Sequence, residues 1–171
     1  MDEQKITPFL WFDTQAEEAM NFYISVFSAN PAKKSDSKIT QIQRYPQGPL
    51  EGPMKGFEGK VLTGVFELEG QQFMALDGGP IFKFNESVSM AVQADTQEEI
   101  DYFWDKLSAV PSAEQCGWLK DKYGLSWQVA PAILPRLMNN PDPKKSAAVM
   151  NTMMKMGKII IKDLQEAYDK A

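Results

Sequence analysis

"FDTQAEEAMNFY" at 12–23 and "ADTQEEIDYFW" at 94–104 open on the same Asp-Thr-Gln, run into a Glu-Glu pair and reach an aromatic pair. In the first copy Ala16, Ala19, Met20, Tyr23 and Phe27 recur at helical spacing and make one apolar face. In the second, Ile100, Phe103, Trp104 and Leu107 form the i, i+3, i+4, i+7 stripe. Asp13-Thr14 and Asp95-Thr96 are N-cap residues, and the glutamates after them favour a helix start through the helix dipole. The repeat predicts equivalent helices over 14–27 and 96–107.

The flanks repeat as well. "TPFLWF" at 7–12 and "SVSMAVQAD" at 87–95 read as strands leading into the two helices. After the first helix come "KITQIQRYP" at 38–46, "KVLTGVFELEG" at 60–70 and "QQFMALD" at 71–77, the last two joined at Gly70. After the second come "EQCGWLKD" at 114–121, a turn at 122–124, and "LSWQVA" at 125–130. Its stretch between helix and "EQCGWL" is shorter, so one strand there is expected to be stunted. Each half reads strand, helix, then up to three antiparallel strands. Neither half buries both its sheet face and its helix face alone, so the pattern predicts an α+β fold. Tandem βαβββ modules would form a curved mixed sheet around a cleft. Residues 1–131 make this paired domain, with halves at about 1–80 and 81–131, and 132–171 form a C-terminal helical extension.

The composition excludes several functions. A net charge of −5 and a pI near 4.8 give no basic footprint for nucleic acid or an anionic membrane. No apolar run reaches the ~20 residues of a membrane span, and "MDEQKITPF" lacks the layout of a signal peptide. One cysteine, Cys116, excludes an internal disulfide framework, and these features together predict a cytoplasmic protein. There is no histidine. That removes the Ser-His-Asp and Cys-His arrangements and the usual zinc sets, leaving oxygen-only sites that suit magnesium or calcium.

Strand alternation names a candidate cleft lining. Phe9 and Trp11 share a face of the first strand, as do Phe73 and Ala75 on 71–77. Ser89 with Ala91, and Ser126 with Gln128, are the corresponding pairs in the second half. Phe82 and Phe84 flank the linker between halves. The candidate ligand-binding residues are therefore Trp11, Phe73, Phe82, Phe84, Ser89 and Gln128, an aromatic lining with two polar groups, as small-molecule sites have. Packing in the core is the competing reading for the aromatics, Trp127 among them. Cys116 reads as an inert thiol in a strand-like segment, or as a reactive one if Lys120 or Lys122 lies near. In the tail, Asp142 caps a helix with Pro143 at its first position. Ala147, Met150, Met153 and Met154 line one side of it, either packed on the chain's own sheet or forming a dimer contact; Gly157 ends it, and 163–170 form a second helix.

The phrases "ITPFLWFDTQAEEAMNFY", "FELEGQQFMALDGGPIFKFNESVS", "TQEEIDYFWDKL" and "QCGWLKDKYGLSWQVAP" span residues 6–131. In this order they resemble the PhnB-like domain, labelled 3-demethylubiquinone-9 3-methyltransferase, of the vicinal oxygen chelate (glyoxalase/bleomycin resistance/dioxygenase) superfamily. The resemblance implies the paired βαβββ fold and a homodimer. Metal-binding members of the superfamily place ligands at four strand positions, which fall here at Pro8, Ala75, Ser89 and Gln128. A one-residue slip would bring Thr7 or Met74 into place. None of these reproduces a His/Glu cage, so the resemblance implies neither metal nor cofactor. The label implies adenosylmethionine, but "LDGGP" at 76–80 runs into "IFKFN", which does not open a helix. Family members often carry histidine after this "GGP", where this chain has Ile81. Three functions compete: a metal-free binder of an unidentified small molecule, an enzyme of the superfamily or of the labelled type, and a dimeric interaction module with a vestigial pocket.

Overall fold

The structure, a computed structural model, describes residues 4–171 and divides between Phe84 and Asn85 into two compact units. In the first unit the aromatic run forms β1 (Phe9–Phe12) and leads into helix α1 (Ala16–Ser28). Then follow β2 (Lys38–Arg44), β3 (Val61–Leu68) and β4 (Gln71–Asp77). The sheet order is β1-β4-β3-β2, with β1 parallel to β4 and the other pairs antiparallel. Glu69 and Gly70 join β3 to β4 with positive φ of 50° and 82°, as a type I′ hairpin turn requires.

The register decides what each face buries. Leu10 pairs with Ala75 and Phe66 with Phe73, so these residues share a face with Gly64, the other partner of Ala75. Helix α1 covers that face. A Cβ on Gly64 would fall 2.6 Å from the Met20 sulfur, and Tyr23 stacks on Phe66 with ring centroids 6.4 Å apart. The buried side of α1 is Ala16, Ala19, Met20, Tyr23, Val26 and Phe27, which contains the stripe read from the sequence. Phe82 and Phe84 also belong to this unit, with ring edges against Trp11 and Phe12.

The helix start is built differently from expectation. Neither Asp13 nor Thr14 caps α1, whose N-cap position is Gln15 with no side-chain cap bond. Asp77, at the end of β4 and 2% exposed, does that work: its Oδ1 accepts from Ala16 N at 2.8 Å, and its Oδ2 from Val61 N at 3.0 Å.

The second unit contains β5 (Ser89–Ala94), α2 (Gln97–Leu107), β6 (Trp118–Lys120) and β7 (Ser126–Pro131). Its sheet order is β5-β7-β6, with β5 parallel to β7 and β6 antiparallel to it. The short stretch after α2 holds a 3-10 turn at Pro111–Ala113 where the first unit has a strand. Here the cap is local. Thr96 Oγ1 accepts from Glu99 N at 3.2 Å while Glu99 Oε2 accepts from Asp95 N at 2.8 Å, a reciprocal pair like a capping box but reaching one residue further back. Ile100, Phe103, Trp104 and Leu107 are buried as predicted.

The tail forms α3 (Leu134–Met138), α4 (Pro143–Met153) and α5 (Ile161–Lys170) within this unit. Asp142 caps α4 by accepting from Lys144 N at 2.9 Å. The buried contact of α4 is Val149, packed with Leu137, Ile159 and Leu164, and Met153 joins it. Ala147, Met150 and Met154 face outward on the other side of the helix. Main-chain bonds dock the tail: Cys116 N and Gly117 N donate to Met156 O and Gly157 O at 2.7 and 2.8 Å. Gln97 pairs with the tail backbone in both directions, donating to Ile159 O at 3.0 Å and accepting from Ile161 N at 2.9 Å. Cys116 therefore lies in a turn with φ of 53°, not in a strand, and its Sγ contacts Met154 Sδ at 3.6 Å.

Candidate functional site

The face of each sheet away from its helix is the place to look. In the first unit, Phe9 pairs with Met74 and Trp11 with Leu76, so these four share that face. Trp11 is half-buried and its Nε1 donates to Gly79 O at 2.9 Å. The edge of Phe82, 63% exposed, meets the indole at 5.0 Å. The chain beneath must be glycine: a Cβ on Gly78 would fall 2.2 Å from the Trp11 ring, and Gly79 takes a φ of 83°.

Two predicted lining residues are elsewhere. Phe73 is 7% exposed and stacks on Phe66 at 5.4 Å, on the face that α1 covers. It is core, because β4 pairs with β1 in the register that puts Phe73 opposite in parity to Trp11. Phe84 sets its edge against Phe12 at 5.4 Å, a buried residue of the covered face, and so is not joined with Trp11 either. Ala75, one of the positions where the resemblance implies a metal ligand, is wholly buried on the covered face. Met74 at the one-residue slip is the residue on the open side.

In the second unit the pairing is cleaner. Ser89 pairs with Ser126 and Ala91 with Gln128, while β6 sets Trp118 beside Gln128 and Lys120 beside Ser126. These residues share the face opposite Val92, Leu119, Trp127 and Val129, all buried. The structure brings the predicted pair together: Gln128 Nε2 donates to Ser89 Oγ at 2.8 Å. Sequence reasoning places Ser126 on this face without giving it a role, and weighs Lys120 only beside Cys116. Lys120 forms an ion pair with Glu86, which holds the Glu86 carboxyl below its ordinary value. Trp127 is core, its Nε1 donating to Asp121 Oδ2 at 2.8 Å.

The chemistry open to these residues is narrow. Among the described residues no group of three His, Cys, Asp or Glu is arranged to hold a metal ion. A thioether, a hydroxyl and a neutral amide do not make the hard or borderline donor set that magnesium, zinc or iron requires. Beside the start of α1 a cavity of about 370 Å³ is lined by Thr14, Glu17, Arg44, Glu58, Lys60 and Asp77, among others. Arg44 binds Glu17 with two bonds of 2.9 and 2.7 Å and holds that carboxyl below its ordinary value, so its main cation is already matched.

Residues 4–130 match the family model described as 3-demethylubiquinone-9 3-methyltransferase. Among solved structures the chain is similar to a putative 3-demethylubiquinone-9 3-methyltransferase, PhnB protein, from Bacillus cereus. The identity is 41%, the match covers 75% of this chain and 100% of that one, and the TM-score is 0.59. A protein of Pseudomonas aeruginosa shares the fold at 17% identity and TM-score 0.56, over 75% of this chain and 98% of that one. No significant match is found among curated proteins.

Proposed function

The chain belongs to the 3-demethylubiquinone-9 3-methyltransferase family, with a glyoxalase-like fold, and on that premise we propose that it is a metal-free, small-molecule-binding protein. The observation that supports this most is the Ser89–Gln128 pair. Two positions where the resemblance implies metal ligands carry neutral groups that bond to each other at 2.8 Å. Such a pair orients a ligand by hydrogen bonds and offers no charge to a cation. Trp11 and Phe82 offer an aromatic surface in the first unit. The family resemblance further supports a homodimer, and the net charge of −5 argues against nucleic acid as partner. A cytoplasmic location is part of the same reading. No helix among the described residues is long and apolar enough to cross a membrane.

The family's name suggests methyl transfer, and the glycine-rich turn after β4 is the place to test it. Gly78-Gly79-Pro80 does not fit adenosylmethionine. The next helix after it is α2, beginning at Gln97, so no helix N-terminus stands over the turn. The space beside Gly78 holds the Trp11 ring, and Phe57 lies 3.3 Å from where a Cβ on Gly79 would sit. These glycines make room for aromatic packing rather than for a cofactor.

Elemental analysis tests the metal-free reading. The purified protein is expected to carry no stoichiometric zinc, nickel, iron or manganese, and chelators are expected to leave its melting temperature unchanged, since a bound metal stabilises by mass action. About one transition metal per chain would overturn it.

A further inference from the structure

On the face of the second sheet away from α2, Lys120, Ser126 and Ser89 form one row across three neighbouring strands. Adjacent strands stand about 4.8 Å apart, so the row spans roughly 10 Å. Ser126 is 1% exposed, and its Oγ is buried with no hydrogen-bond partner. A buried hydroxyl in that condition is uncommon and asks what it is for. Ser89 Oγ already accepts from Gln128, which leaves its own proton to donate. Lys120 contributes an ammonium group, and its side chain is 21% exposed. The row is a set of donors with a single cation at one end. Its next row along the strands holds Trp118, Gln128 and Ala91, an aromatic and aliphatic strip with one amide.

Lys120 already holds an oxyanion, the carboxylate of Glu86, whose side chain is 65% exposed. An ion pair with so exposed a member is readily exchanged for another anion. Resting on the reading that this face binds the ligand, we infer that the Lys120–Ser126–Ser89 row receives the oxyanion of a small organic acid. Glu86 occupies the lysine until that acid displaces it. The organic part of the acid lies along Trp118 and Gln128. Carboxylate and phosphonate share this chemistry, and the probes separate them.

The experiment is calorimetric titration of the full chain at fixed ionic strength with four probes: phenylacetate, methylphosphonate, inorganic phosphate and the neutral amide phenylacetamide. At least one acid is expected to bind saturably and about tenfold tighter than phenylacetamide, as charge-assisted hydrogen bonds require. Lys120→Gln and Ser126→Ala are each expected to weaken it about fivefold or more, whereas Glu86→Gln, which removes the internal competitor, tightens it about threefold. Ser126→Ala is expected to melt no lower than the parent, so its lost affinity is not lost folding. Phenylacetamide binding as tightly as phenylacetate, or Glu86→Gln weakening the acid, overturns the inference. If phenylacetamide binds and Gln128→Leu weakens it while Lys120→Gln changes nothing, the binding face stands and the oxyanion assignment falls. If no probe binds, the oxyanion assignment falls, and a broader panel of neutral compounds decides whether the binding face falls with it.

Discussion

Asp77→Ala should be among the most damaging single changes in the first unit, although the residue lies outside the Ser89–Gln128 face. The carboxylate joins two backbone N–H groups, Ala16 N at 2.8 Å and Val61 N at 3.0 Å. Ala16 is 0% and Val61 1% exposed, so water does not take over either bond. A buried donor left unpaired costs about 1–3 kcal/mol, and there are two. Removing a carboxylate held out of water returns part of that. A net loss of about 2–4 kcal/mol follows. For a chain of this length it lowers the melting temperature by about 5–15 °C, at about 2–4 °C per kcal/mol. Asp77→Asn keeps one acceptor and is expected to lose about half as much. The pH dependence is specific. Burial pushes the Asp77 carboxyl above its ordinary value, outweighing the two N–H groups that pull it down. The folded chain then holds this proton more firmly than the unfolded one. Its stabilising contribution is complete below the unfolded value, about 3.9, and is lost as pH rises through the raised folded value. The deficit of Asp77→Ala, measured by urea and thermal melts from about pH 4 to 8, is expected to be largest at the acid end. A deficit below about 1 kcal/mol throughout, or one that grows with pH, refutes the reasoning.

Gly78→Ala forces a methyl to within 2.2 Å of the Trp11 ring; the ring must move off Gly79 O, costing about 1–3 kcal/mol and shifting tryptophan emission to the red. Gln97→Ala removes both bonds to the tail backbone. It is expected to cost about 1–3 kcal/mol and to raise hydrogen-exchange rates selectively over α5, with α1 unaffected.

The order of elements in both units was legible because apolar spacing separates helix from strand and because the pattern occurs twice. The helix stripes through Met20 and Tyr23, and through Phe103 and Trp104, needed no tertiary information. What the repeat concealed is that the same "DTQ" starts two helices by different means. Such a reciprocal pair is local and could be read from Thr96 and Glu99, whereas Asp77 reaches α1 from a strand far along the chain. Parity within a strand was equally legible, but not which parity faces the helix. Phe73 and Trp11 are both aromatic and both on strands, and only the β1–β4 register sends them to opposite faces. Which side of α4 packs stayed open for a related reason: Val149, Met150 and Met153 are all apolar, so composition alone does not say which one points inward. Ser89 and Gln128 could be named together because they stand on alternating positions of two strands that pair. Lys120 joins that row through β6, and its partner Glu86 comes from the loop before β5, which no local pattern announces.

Calorimetric titration of chelator-treated protein against a panel of small aromatic, aldehyde and phosphonate compounds tests the central claim directly. The claim predicts saturable binding without added metal, weakened about five- to 150-fold by Gln128→Leu, equivalent to about 1–3 kcal/mol for a ligand group left unpaired in a dry site. Binding that appears only when a divalent metal is restored, or that Gln128→Leu leaves untouched, contradicts it.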